Sequence, residues 1–343
     1  LKKVSFDQII KAFSTPKRIT ITSHYNPDGD AIGSSLAVYH IMKALGHQVN
    51  VVIPNTCPDF LKWMPGSSEI LLFESEESKV AEIAINEAEF IFCLDYNALH
   101  RTGKKMEGAL NTAPGRKILI DHHPGPEIKS FDYTCSEISA SSTAELVFRF
   151  IDKAGYTKFL NRQVAECLYT GIITDTGSFS HSCNSPETYR IVARLVEKGI
   201  DAQKLHKLIY DNFSEDRIRL LGYAISEKLT VLPEFNTAYI ILTKEVLSKF
   251  NYQVGDTEGI VNYPLSIKHI NLAVLITERD DLIRLSFRSK GDFPANEIAR
   301  KYFKGGGHRN AAGGDSFQSV EETVAKLKEI LPEYQHKLDF IIS

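Results

Sequence analysis

Aspartates and histidines recur at the ends of apolar runs along this chain: His24, Asp28 and Asp30, then Asp95, then Asp121-His122-His123, then Asp175. Carboxylate oxygens and imidazole nitrogens are the donors that hard and borderline divalent cations take, and this set is large enough for two ions. Asp28 and Asp30 flank a glycine in Asn26-Pro27-Asp28-Gly29-Asp30-Ala31-Ile32-Gly33, where an extended run hands over to an apolar helix. Open α/β sheets bind their ligands at such a junction. A plainer alternative stands beside it: Asp30 caps the helix and Asp28 stabilises a turn. Asp95 closes Phe90-Ile91-Phe92-Cys93-Leu94, and Asp121 closes Lys117-Ile118-Leu119-Ile120. One such aspartate is ordinarily a turn former, but several on one sheet edge repel unless cations neutralise them, so the repetition favours a metal cluster. The neighbours His122 and His123 must point differently, which lets one bind metal while the other faces substrate; paired surface histidines are the alternative. Asp175 lies in Thr174-Asp175-Thr176-Gly177 at the end of an apolar helix that would return it to the same edge, the alternative being a simple C-terminal turn.

These side chains need a scaffold, and the first half of the chain supplies an α/β order. Short β-branched runs at Arg18 to Ser23, Gln48 to Ile53, Glu89 to Leu94 and Arg116 to Ile120 alternate with helical patterns at Ala31 to Leu45, Ser78 to Glu87 and Thr102 to Leu110. Such alternation predicts a mainly parallel sheet. Helices follow at Ser142 to Ala154, Arg162 to Ile172 and Pro186 to Lys198, the first opened by Ser142 with Glu145 as a capping box. A charged helical stretch, 205–228, reads as a linker between a first domain, 1–204, and a smaller α/β domain, 229–343. Strands are expected there at Thr237 to Leu242, Asn271 to Thr277 and Leu282 to Phe287, with helices at Ala295 to Tyr302 and Val320 to Ile330.

Composition narrows the classes of function. The chain has 343 residues, 43% hydrophobic and 24% charged, ample for two cores. Its formal charge of −3 offers no broad basic surface for long nucleic acid, so a nucleic-acid substrate would be short. Five cysteines without a C-x-x-C pairing read as reduced thiols, and a cytoplasmic enzyme is expected. The opening stretch 1–13 is amphipathic rather than a signal sequence, and no apolar run reaches the roughly 20 residues of a spanning helix.

The second domain carries its own candidates. Gly305-Gly306-Gly307-His308-Arg309 can bring backbone N–H groups close to a phosphate, with His308 and Arg309 as further donors; a packing turn is the alternative. Arg288-Ser289 follows a strand, and Arg101 follows Asp95 closely enough to reach a phosphate, though either arginine could be a solvated surface residue.

In their order, these motifs resemble the DHH phosphoesterase superfamily, named for the triplet present here as Asp121-His122-His123. Residues 26–33 resemble its first motif, Asp95 its second, the triplet its third and Thr174-Asp175-Thr176-Gly177 its fourth. Gly305 to Gly313 resembles the signature of the DHH-associated C-terminal domain, and the compact two-domain length is most similar to the subgroup of bifunctional oligoribonucleases and 3'-phosphoadenosine 5'-phosphate phosphatases. The resemblance implies that His24, Asp28 and Asp95 hold one metal and Asp30, Asp95, His122 and Asp175 a second, with Asp95 shared. It implies Mn²⁺, although the donor set also suits Mg²⁺, Co²⁺ or Zn²⁺. Asp121 would orient a histidine, and His123 would contact the phosphate or help protonate the leaving group. Arg101, Arg288, Ser289, Gly306, Gly307, His308 and Arg309 would contact substrate. The expected activity is hydrolysis of short oligoribonucleotides and of 3'-phosphoadenosine 5'-phosphate, with no membrane partner and a homodimer left open. A pyrophosphatase or exopolyphosphatase on the same metals, and a silent nucleotide-binding sensor, are the alternatives; the complete donor set disfavours the last.

Overall fold

A computed structural model describes residues 4–75 and 78–340, and places the chain in two units that part between Asn212 and Phe213. Of the amphipathic opening stretch, residues 1–3 lie outside those described.

The first unit begins with α1 (Phe6–Ala12), then β1 (Arg18–Thr22), α2 (Gly29–Ala44), β2 (Gln48–Ile53), β3 (Ile70–Leu72), α3 (Ser78–Asn86), β4 (Phe90–Leu94), α4 (Lys104–Thr112), β5 (Arg116–Asp121) and β6 (Tyr133–Ser136). Four helices complete it: α5 (Thr143–Lys153), α6 (Arg162–Asp175), α7 (Pro186–Val196) and α8 (Ala202–Tyr210). Its six strands run in the order β3-β2-β1-β4-β5-β6, and every pairing is parallel. The parallel sheet expected from alternation is therefore present. Strand order reverses between β1 and β4, so the crevice outside their carboxyl ends is the switch point of a doubly wound sheet. One face is covered by α3 and α4, the other by a larger core in which α2, α5 and α6 pack together.

Helix α2 is apolar or small almost all round and buried on nearly every side, as a central helix must be. Its approach to α6 is possible because glycines meet there: a Cβ on Gly33 would sit 2.5 Å from the Cys167 carbonyl oxygen and 2.9 Å from the Gly171 nitrogen. Those are backbone atoms, which cannot swing aside. Gly33→Ala should therefore destabilise the first unit by about 3 kcal/mol, roughly 6–12 °C in Tm. An unchanged melting curve would contradict this packing.

The second unit contains α9 (Glu215–Glu227), β7 (Leu229–Leu232), β8 (Thr237–Leu242), α10 (Lys244–Lys249), β9 (Leu272–Glu278), β10 (Ile283–Ser289), α11 (Ala295–Tyr302), β11 (Gly306–His308), β12 (Ala311–Ser316) and α12 (Val320–Leu338). Its sheet order is β11-β12-β10-β9-β8-β7, antiparallel except where β8 pairs with β9. Helices α11 and α12 build a core on one face, while α9 and α10 pack in a second core.

Four details depart from expectation. The stretch 205–228 is not a separate linker: Leu205 and Ile209 of α8 enter the first unit's core, and Leu220 and Ala224 of α9 enter the second's. The glycine-rich stretch forms a hairpin of β11 and β12 at the sheet edge. Helix α12 continues through Pro332 because Tyr334 and Leu338 still pack inward. At α5, Ser142 caps the Glu145 amide, but the Glu145 carboxylate accepts from Ser141 instead of returning to Ser142, so the capping box is only half made.

Candidate metal centre

Just beyond the carboxyl ends of β1, β4 and β5, at the end of α6 and at the start of α2, the first unit brings together His24, Asp28, Asp30, Asp95, Asp121, His122, His123 and Asp175. Asp28 is the N-cap of α2: one oxygen accepts the Asp30 and Ala31 amides at 3.0 and 3.1 Å, and the other lies 3.8 Å from His24 Nε2. The helix-capping alternative named the wrong residue: Asp28, not Asp30, caps α2, and it still presents an oxygen to the site. Asp30 serves another helix. Its two oxygens accept the Thr143 and Ala144 amides at 2.6 and 2.9 Å, at the start of α5. This places negative charge at the positive end of a helix dipole.

Asp95 occupies the middle. One oxygen, Oδ2, lies 3.4 Å from His24 Nε2, and the other, Oδ1, lies 3.7 Å from His122 Nε2. Its backbone is left-handed, with φ of 64°, where aspartate and asparagine are the better tolerated non-glycine residues. His122 Nε2 also faces Asp30 Oδ2 at 3.9 Å and Asp175 Oδ2 at 3.4 Å. The donor atoms of His24, Asp28 and Asp95 lie within 4.8 Å of one another, and so do those of Asp30, His122 and Asp175. Asp95 adjoins both groups.

The imidazoles are arranged as ligands usually are. His24 Nδ1 meets the Tyr25 carbonyl at 2.9 Å and His122 Nδ1 meets the Ala140 carbonyl at 3.3 Å. A carbonyl only accepts, so each Nδ1 donates and each Nε2 is directed into the carboxylate cluster, the pattern of metal-bound histidines. His123 differs. Its Nδ1 pairs with Asp121 Oδ1 at 2.7 Å, and its backbone amide donates to Asp121 Oδ2 at 3.1 Å. The fully buried Asp121 therefore fixes the orientation of His123, so the two consecutive histidines have different partners, Asp121 for one and the Ala140 carbonyl for the other.

The electrostatics fit cations. Burial, reinforced by the charges of Asp95, Asp175 and Asp28, pushes the Asp30 carboxyl well above its ordinary value, although both oxygens accept amides. Burial likewise raises Asp175 to about 6, with the charges of Asp95 and Asp28 adding to it. Burial disfavours the cationic form of His24, yet hydrogen bonds to Asp28 and Asp95 outweigh it and lift the group to about 10. For Asp95, burial works upward but is overcome by His24 and the charges of His123 and His122, so its carboxyl falls well below the usual range. The cluster thus holds more negative charge than its imidazoles balance. Divalent ions would supply the missing charge and displace the protons that otherwise settle there.

Arg101 is exposed in the loop after β4, and its carbonyl accepts the Tyr25 amide at 2.8 Å. Its charge opposes protonation of His123, which puts the guanidinium in electrostatic reach of the site. In the second unit, strand register aligns Arg288, Ala311 and His308 across β10, β12 and β11, so Arg288 and His308 stand on one face with a small residue between them. Gly306 lies on the same edge strand; among the described residues nothing approaches within 4 Å of where its Cβ would be. Gly307 has φ of 133° and its Cβ would meet the Ala311 carbonyl, so its lack of a side chain has a structural cause. Ser289 is buried, its hydroxyl donating to Phe293 O and accepting from Asn310. Arg309 is bound to the carbonyl and carboxylate of Asp292.

Two features escaped sequence reasoning. The amides and hydroxyl at the start of α5 hold Asp30 and Asp95, for which the run Ser141-Ser142-Thr143 signalled only a cap. Asn26 and Asn55 form a two-bond pair, Asn26 N and Asn55 Nδ2 each donating across, which pins the loop carrying Asp28.

Comparison with known proteins agrees with this geometry. Residues 18–172 match the DHH family N-terminal domain and residues 236–336 the DHHA1 domain. The chain is 25% identical to the bifunctional oligoribonuclease and PAP phosphatase NrnA of Bacillus subtilis, over 96% of this chain and 99% of that one. It is 29% identical to the Thermus thermophilus protein of the same name, covering 94% and 93%. Among solved structures, an exopolyphosphatase-related protein from Bacteroides fragilis is similar with a TM-score of 0.92 and 45% identity, covering 98% of this chain and 97% of that one. By its two matched domains and by the order of its motifs, the chain belongs to the DHH family of phosphoesterases.

Proposed function

We propose that this phosphoesterase hydrolyses short oligoribonucleotides and removes the 3'-phosphate of 3'-phosphoadenosine 5'-phosphate, using two Mn²⁺ ions. The observation that carries the reading is Asp95, whose two oxygens face two different donor groups at the switch point of the sheet. His24, Asp28 and Asp95 would hold one ion; Asp30, Asp95, His122 and Asp175 would hold the other. When bound, such a pair neutralises phosphate charge and activates water for in-line attack at phosphorus.

The remaining steps belong to the chain's own groups. Asp121 keeps His123 oriented with Nδ1 toward itself, and the imidazole would contact the phosphate or the leaving oxygen. Arg101 adds positive charge beside His123. In the second domain, Arg288 and His308 would face the substrate from one sheet face, and the bare backbone of Gly306 would admit a phosphate oxygen beside Gly307. Ser289, bonded to Phe293 and Asn310, and Arg309, bonded to Asp292, would complete that substrate-contacting surface.

Selection of short substrates follows from charge, since a chain of net charge −3 has little to hold a long polyanion. Among the described residues no helix is long and apolar enough to cross a membrane. The free cysteines suit the reducing cytoplasm, the compartment we propose. The same metal groups could act on polyphosphate, a second reading favoured by the likeness to the exopolyphosphatase-related Bacteroides fragilis protein.

One assay separates these readings: the purified chain with Mn²⁺ against a labelled diribonucleotide, 3'-phosphoadenosine 5'-phosphate, pyrophosphate, polyphosphate and a long RNA, with chelator controls. The first two should turn over at least about tenfold faster in kcat/KM than the others, a difference of about 1.4 kcal/mol in transition-state stabilisation. Faster cleavage of polyphosphate or pyrophosphate would overturn the nucleotide assignment.

A further inference from the structure

We propose that Thr143 is a positioning residue for Asp95: its hydroxyl holds the shared carboxylate in the orientation that turns one oxygen toward each donor group. The inference rests on the two-ion reading and deepens it.

Thr143 opens α5, is fully buried, and bonds to two expected ligands at once. Its amide donates to Asp30 Oδ2 at 2.6 Å, and its Oγ1 donates to Asp95 Oδ1 at 2.8 Å. The imidazoles beside the Asp95 carboxylate lie farther away, at 3.4 Å for His24 and 3.7 Å for His122 and His123. The Thr143 hydroxyl is thus the short contact that can set the carboxylate plane. Such a constraint matters because the final torsion of an aspartate is soft, with no staggered wells to hold it.

Thr143 can serve as a fixed reference because its own place is secured from the far side. Ser142 caps the Glu145 amide, and the buried Glu145 carboxylate accepts from Ser141 N at 3.2 Å, Ser141 Oγ at 2.6 Å and Thr188 Oγ1 of α7 at 2.8 Å. Arg149, one turn along α5, pairs with the same carboxylate. None of these groups belongs to the proposed ligand set, so the start of α5 is anchored independently of any ion.

Thr143→Ser and Thr143→Ala remove the same methyl and differ only in the hydroxyl. Mn²⁺ titration without substrate, read by calorimetry, should give two ions for wild type and for T143S, with affinities within about threefold. T143A should weaken at least one ion by about 10- to 100-fold, the range seen when a group supporting a metal ligand is removed. Its kcat should fall with little change in KM, while its circular dichroism in chelator matches that of T143S and its melting temperature falls only modestly, by the loss of one buried hydrogen bond. Should the alanine variant fail to fold, Thr143→Val keeps the volume without the hydroxyl and should show the same loss. Equal ion affinities in T143S and in the folded variants lacking the hydroxyl would overturn the positioning role while leaving the two-ion reading intact. A wild-type chain that takes up no ion would overturn both.

Discussion

Asp95→Asn should lower turnover by at least about a thousandfold under saturating Mn²⁺, about 4 kcal/mol of transition-state stabilisation, while the chain stays folded. Asparagine is the informative replacement because it tolerates the left-handed backbone that Asp95 adopts, with φ of 64°, whereas alanine would add strain there. It removes the charge and replaces one oxygen with an amide NH₂, which donates and so cannot face a cation. A bridging role therefore ends although the shape is kept. Circular dichroism should remain near wild type, while the melting temperature in chelator should fall modestly, because, despite burial, the charged form of Asp95 is favoured by His24, His123 and His122. By contrast, Asp121→Asn should cost only about 10- to 100-fold, because it disturbs the orientation of His123 and leaves the ligands in place. Turnover of Asp95→Asn within tenfold of wild type would sink the shared-ligand role.

The second large effect is on stability. Chelator-treated protein brought to Mn²⁺ at about a hundred times the dissociation constant of each site should gain about 2.7 kcal/mol per ion, roughly 5 kcal/mol in all. For a unit of this size that corresponds to a rise of roughly 10–20 °C in Tm. The gain should fall on the first unit's transition in scanning calorimetry, because the proposed ligands all lie before Asn212. Asp95→Asn should lose most of it. A shift that persists in Asp95→Asn, or that moves only the second unit, would show that the stabilising ions bind elsewhere.

Particular elements show why some of this was legible in the residues and some was not. Strands β1, β4 and β5 are short apolar runs bounded by polar residues, so both the parallel sheet and the ring of chemistry at its edge could be read in advance. Helix α6 announced itself by its apolar pattern, and with it the return of Asp175 to that edge. Strands β3 and β6 escaped notice: each is only half-buried and lies at an edge of the sheet, so neither carries a strong pattern. Strand β12, Ala311–Ser316, is rich in glycine and alanine, residues depleted in strands, and becomes a strand because β10 is there to pair with it.

The family's order of motifs, the number and kind of donor groups, and the division into two domains were determined by the sequence alone. Tertiary structure decided how each group is used. It made Asp28 rather than Asp30 the cap of α2, gave Asp30 to α5 through a contact between residues 113 apart, tied Asp121 to His123 and set Thr143 against Asp95. The reason is physical: residue type and spacing fix what a side chain can donate or accept, but its partner depends on which distant backbone the packing brings within about 3 Å.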